Sequence, residues 1–150
     1  MPHLVVLYTG NLDRIADMGA LCRSLADAML AVRDEAGNQV FPIGSTRVLA
    51  HSAPHWAVAD GGAAGRAADG NGDYASIYLN LRMARGRSAA TQRQAGDAVL
   101  AVVKARMDPL MRSHRIGISI MVDEGAEVFD GRHGTIHPLF SGSGKLEYPD

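Results

Sequence analysis

A chain of 150 residues, 47% hydrophobic and 21% charged, has the composition of one globular domain, and 1–150 is read as a single domain without a second core. Fifteen basic against sixteen acidic residues leave a formal net charge of -1, which excludes an overall basic surplus for nucleic acid or an anionic membrane. Cys22 is the only cysteine, so no internal disulfide forms, and the N-terminal run is too short and too uncharged for a signal peptide or a spanning helix; a cytoplasmic location is expected.

The run PHLVVLYT over 2–9 is short, apolar and β-branched, which predicts a buried first strand. Gly10, Asn11 and Asp13 break it, and Ile15, Met18, Cys22, Leu25, Met29 and Val32 then recur at steps of three and four, the stripe of a helix ending near Gly37. Phe41-Pro42-Ile43-Gly44 connects this helix to a second strand over 46–50, stopped by Pro54. Residues 57–72, AVADGGAAGRAADGNG, are rich in glycine and alanine and lack a hydrophobic period, so a flexible surface insertion is expected there.

From Asp73 onward, Tyr74, Ser76, Tyr78 and Asn80 alternate with Ala75, Ile77, Leu79 and Leu81, a third strand. Ser88 caps a long helix whose Ala95, Val99, Val102, Val103, Leu110 and Met111 share a face, with Pro109 kinking or ending it. Alternation over 116–122 predicts a fourth strand, and about 127–150 an arm. Tandem β-α-β units of this kind predict an α/β (α+β type) domain: a four-stranded sheet, parallel pairing within each half, and both helices on one face. The uncovered face is then a natural interface between copies.

Met1-Pro2-His3 before an apolar strand, Phe41-Pro42 with Arg47 five residues after the proline, Ala68-Asp69-Gly70-Asn71-Gly72-Asp73-Tyr74-Ala75, Gly86-Arg87-Ser88 followed by Gln94-Ala95-Gly96, and His137-Pro138-Leu139-Phe140 spread over most of the chain. Together they resemble the 5-carboxymethyl-2-hydroxymuconate isomerase family of the tautomerase superfamily. The resemblance implies a trimer of double β-α-β subunits, N-terminal prolines in pockets of the assembly, no cofactor, and isomerisation of an unsaturated keto or enol di- or tricarboxylic acid. Arg85 beside Arg87, the insertion and a longer tail depart from the family pattern.

Taken alone, Pro2 reads as the start of a strand. With Met1 removed it becomes a secondary amine whose reference pKa as a free α-amino group is about 7.7 to 8.0, lowered further by burial or nearby cations. A base of that strength suits general acid/base catalysis near neutral pH, which makes Pro2 the candidate catalytic residue. Arg47 and Arg87 match the family's motif positions and are the candidate substrate-binding residues, since a guanidinium grips a carboxylate through parallel hydrogen bonds. Arg82 and Arg85 read as solvated.

Residues 69–73 imitate half of a calcium loop but lack the required glycine and the bidentate glutamate, and the four-residue spacings of His51/His55 and His133/His137 fall where Pro54 and Gly134 oppose a helix, so no metal is assigned. Cys22 on the apolar stripe reads as an inert buried thiol. Two other functions remain open at this point: a hydratase or dehalogenase that uses Pro2 to activate water on an unsaturated acid, and a trimeric interaction protein without catalysis.

Overall fold

The computed structural model describes residues 2–140, so the end of the expected arm lies outside the described residues. Its strands are β1 (His3–Thr9), β2 (Arg47–Ala53), β3 (Tyr74–Ala84) and β4 (Arg115–Gly125), and its helices α1 (Met18–Ala31), α2 (Ala63–Asp69) and α3 (Ala89–Met111). The four strands form one sheet in the order β2-β1-β3-β4. β1 runs parallel to β2 and β3 parallel to β4, while β1 and β3 meet antiparallel at the centre. Each half is the β-α-β unit that the periodicity predicts.

Asp17 caps α1, its carboxylate accepting from the Ala20 N–H at 2.9 Å, and Ser88 caps α3 by accepting from Thr91 N–H at 3.1 Å. Met18, Leu21, Leu25 and Met29 of α1 and Ala95, Val99, Val103 and Met107 of α3 are buried. They pack on Leu4, Val6 and Tyr8 of β1 and on Ala75, Ile77, Leu79, Leu81 and Met83 of β3. Pro109 sits in the last turn of α3, where the ring removes a backbone donor just before the helix stops.

The 57–72 segment is not the irregular insertion its composition suggests, because α2 occupies Ala63–Asp69. Small residues hide this helix from a hydrophobic pattern; its packing depends on having no side chain at Gly65. A Cβ there would lie 2.2 Å from the Asn71 carbonyl oxygen, and the Gly65 N–H donates to the Tyr74 hydroxyl at 2.9 Å. Gly70, at φ 82, closes the helix in the left-handed conformation.

The second face of the sheet carries His3, Val5 and Leu7 beside Leu49 and His51, and Tyr78, Asn80 and Arg82 beside Met121 and Asp123. Leu7, Leu49 and Met121 are 47%, 48% and 50% exposed. No helix among the described residues is long and apolar enough to cross a membrane.

Candidate active site

Pro2 is buried at the head of β1, and its carbonyl accepts from the Arg47 N–H at 3.4 Å. The next residue, His3, pairs with Arg47 on one side and Arg82 on the other. Since β1 and β3 are antiparallel, Pro2 stands where β2 begins and β3 ends, with neighbouring strands about 4.8 Å away on each side. Arg47 opens β2, and Arg87 follows the last residue of β3 by three positions. The sheet therefore gathers at one end the three residues that the sequence assigned to chemistry.

Both arginines are half-buried and held by backbone carbonyls. Arg47 Nη1 donates to the Gly44 oxygen at 3.1 Å and the Thr46 oxygen at 2.9 Å. Arg87 Nη1 donates to the Ala84 oxygen at 2.9 Å, and its Nη2 to the Val40 oxygen at 3.1 Å. Neither pairs with a carboxylate among the described residues. A carbonyl fixes the direction of a guanidinium without cancelling its charge, so both cations keep their attraction for an anion.

The turn that carries Arg87 is itself clamped. Gly86, at φ 98, turns the chain, and its N–H donates to Glu124 Oε1 at 3.0 Å. Gln92 Nε2 donates to the Arg87 carbonyl at 3.1 Å. Glu35 accepts from the Ser88 hydroxyl and, at 2.8 Å, from the buried Thr91 hydroxyl. The Ser88 hydrogen bond is the first cause holding the Glu35 carboxyl below the usual carboxylate range. Sequence reading missed Glu35, because nothing local marks a glutamate whose partners lie more than fifty positions away, at Ser88 and Thr91. Glu35 and Glu124 are thus engaged by hydroxyls and an amide and do not neutralise Arg47 or Arg87.

At the opposite end the carboxylates are paired with side-chain donors, while the buried Asn11 Oδ1 has no hydrogen-bond partner among the described residues. The Tyr8 hydroxyl donates to Asp13 Oδ1 at 2.6 Å and the Ser52 hydroxyl to Asp13 Oδ2 at 2.8 Å, and these bonds, Tyr8 first, lower the Asp13 carboxyl. Asn11 Nδ2 donates to Asp73 Oδ1 at 3.0 Å and to the Tyr74 carbonyl at 2.9 Å. Residues 69–73 form successive Asx turns, with Asn71 N–H on Asp69 and Asp73 N–H on Asn71. Asp69 is further tied to Arg115 at 2.7 Å. Cys22 is half-buried on α1, and burial pushes its thiol up, away from the reactive thiolate.

The family profile described as 5-carboxymethyl-2-hydroxymuconate isomerase matches residues 2–140. The chain is 26% identical over 140 residues to the 5-carboxymethyl-2-hydroxymuconate Delta-isomerase of Escherichia coli, covering 93% of this chain and 99% of that one. A crystal structure of a 5-carboxymethyl-2-hydroxymuconate delta-isomerase superposes with a TM-score of 0.92 at 58% identity, over 97% of this chain and 96% of the other. The crystal structure of a 5-carboxymethyl-2-hydroxymuconate isomerase from Deinococcus radiodurans R1 superposes with a TM-score of 0.74 at 25% identity, over 93% of both chains. With a match that starts at the strand-leading proline and runs through the His137–Phe140 turn, the chain belongs to the 5-carboxymethyl-2-hydroxymuconate isomerase family of the tautomerase superfamily and is an isomerase.

Proposed function

We propose that Pro2, freed by removal of Met1, is the general base and acid of an isomerase acting on a 5-carboxymethyl-2-hydroxymuconate-type acid, with Arg47 and Arg87 binding its carboxylates. The observation that carries this reading is the meeting, at one sheet end, of the strand-leading proline with two guanidiniums anchored, among the described residues, to backbone carbonyls. Burial and two nearby cations both disfavour a prolinium, which keeps the nitrogen neutral and able to accept a proton near neutral pH.

The neutral nitrogen takes the mobile proton from one end of the conjugated dienol. The electron pair shifts through the conjugated carbons, and the prolinium returns the proton at a distant carbon, so the product is an isomer and the base is regenerated. Charge develops on the enolate and its carboxylate in between, where fixed guanidiniums need no reorganisation to stabilise it. This relay needs no cofactor. An N-terminal methionine turns the Pro2 nitrogen into an amide, which is not a base.

The working form in this reading is a homotrimer in the cytoplasm. Leu7, Leu49 and Met121 are exposed together on the uncovered sheet face, a surface that a second copy would bury, and the threefold arrangement is the one the sequence resemblance implies. Turnover of 5-carboxymethyl-2-hydroxymuconate by protein whose intact mass shows Pro2 at the N-terminus tests the reading. No turnover by such protein, while it is folded and trimeric, overturns it.

A further inference from the structure

The described part of the arm folds back onto the start of β2. Its 3-10 turn, His137–Phe140, packs against the turn at Ile43–Ser45, where a Cβ on Gly44 would lie 2.8 Å from His137 Nδ1 and 3.0 Å from its Cα. Ile136 and Phe140, both half-exposed, line a hollow together with Ala26 and Leu30 of α1 and Val48 of β2. The contact between the two turns places the far end of the described arm beside Gly44. Between them and the end of β4, residues 131–138 enclose with Gly44 and Arg47 a cavity of about 520 Å³.

The charges in this cavity are lopsided. Arg47, Arg132, His133 and His137 line it, and among the described residues no acidic one does. Outside the lining, Asp130 binds Arg132 at 2.7 Å and the Glu127 charge also acts on Arg132, but with the Arg132 side chain 51% exposed the pair contributes little and yields to a competing carboxylate. Among the described residues Arg47 spends only Nη1, on two carbonyls, so the rest of its fork remains for a second anion contact. The backbone of the same residue touches Pro2. Arg47 thus stands between the position of the base and a cation-lined space within the size range of a small-ligand pocket.

A substrate of the 5-carboxymethyl-2-hydroxymuconate type carries two carboxylates on its conjugated chain and a third on the carboxymethyl branch. We infer that the cavity between Arg47 and the arm seats an outlying carboxylate of the substrate, with Arg132 and His133 as specificity-determining residues that favour acids carrying this extra group. The inference rests on the substrate class proposed above and deepens it. Planar guanidinium and imidazole donors suit a carboxylate, and they read charge and position without entering the proton transfer.

The test compares the full chain with the double variant R132Q/H133N. Titration calorimetry with propane-1,2,3-tricarboxylate and with glutarate reads binding without turnover. The wild type should prefer the tricarboxylate by about tenfold or more, and the variant should bind the two within about twofold of each other. A wild type that binds both alike, or a variant that keeps the preference, overturns the inference whatever becomes of Pro2. In kinetics, the variant should lose about tenfold more kcat/KM on 5-carboxymethyl-2-hydroxymuconate than on 2-hydroxymuconate, mainly through KM. Equal losses on the two acids also overturn it. Full turnover of both acids by protein that keeps Met1 would instead refute the Pro2 mechanism, and the calorimetry would still decide the cavity.

Discussion

The two ends of the sheet are built from similar residues and put to opposite use. Around Asp13, Asn11 and Asp69, the carboxylates meet hydroxyl, amide or guanidinium donors, so this end is closed in charge, although the buried Asn11 Oδ1 has no hydrogen-bond partner among the described residues. Around Pro2, Arg47 and Arg87, the two guanidiniums are held by main-chain oxygens, and Glu35 and Glu124 by hydroxyls and an amide. Charge that is positioned but not neutralised is what an anion-binding site needs, so the comparison separates stabilising polar clusters from functional ones by partner type and not by residue type.

The sharpest way to break the comparison is to remove a guanidinium from each end. Arg47→Ala or Arg87→Ala should cost roughly 2 to 5 kcal/mol of transition-state binding, about thirtyfold or more in kcat/KM. Arg115→Ala, at the closed end, should leave kcat/KM within about twofold, since its exposed pair with Asp69 contributes little. Comparable kinetic losses at both ends would erase the distinction.

The open sheet face extends the comparison to assembly. Leu49→Lys combined with Met121→Lys places charge where apolar side chains are half-exposed, and should shift the sedimentation coefficient from trimer to smaller species with a parallel fall in turnover. Circular dichroism should stay native-like, because neither side chain belongs to the core. A folded monomer at micromolar concentration with undiminished turnover would rule out the trimer.

Asn11→Ala probes the closed end alone. Asn11 is 7% exposed and its amide bridges Asp73 and the Tyr74 carbonyl, so the substitution should cost about 1 to 3 kcal/mol and lower Tm by roughly 2 to 4 °C per kcal/mol. Turnover per folded molecule should not change. A smaller effect concerns acid. The Asp13 carboxyl is lowered by Tyr8 and then Ser52, and that of Asp69 by Arg115 first. With folded values below the unfolded reference of about 3.9, their contribution is present above that pH and fades as pH falls through the folded values. Asp13→Asn should flatten the acid limb of a Tm-against-pH curve, and an unchanged limb would show that the cluster does not hold the fold.

Periodicity made most of the fold legible. The stripe Met18, Cys22, Leu25, Met29 and the alternation from Tyr74 to Leu81 point to α1 and β3, because each repeats a spacing that burial rewards. It failed at α2, whose contact with Tyr74 is made through Gly65, a residue that contributes nothing to a hydrophobic pattern. Strand ends were also hidden: β4 starts at Arg115 and runs through the exposed Asp123 and Glu124 to Gly125, polar positions kept in the ladder by pairing with β3. In the candidate site the residue types came from the family resemblance. Their anchoring did not, because Arg87 meets the Val40 carbonyl 47 positions away and a carbonyl acceptor leaves no mark in side-chain identity. Arg132 and His133 sit in a stretch without hydrophobic period, where the His133/His137 spacing suggests at most a metal site, and the fold of the arm brings them to Arg47.

The central claim is that the free nitrogen of Pro2 carries the proton. The direct measurement pairs intact-mass spectrometry with initial rates on 5-carboxymethyl-2-hydroxymuconate for two preparations of the same chain, one processed by methionine aminopeptidase and one with Met1 retained. Activity is predicted to follow the fraction of chains that begin at Pro2, and to vanish nearly completely where Met1 remains while the fold and assembly are unchanged. Equal rates from the two preparations would contradict the account.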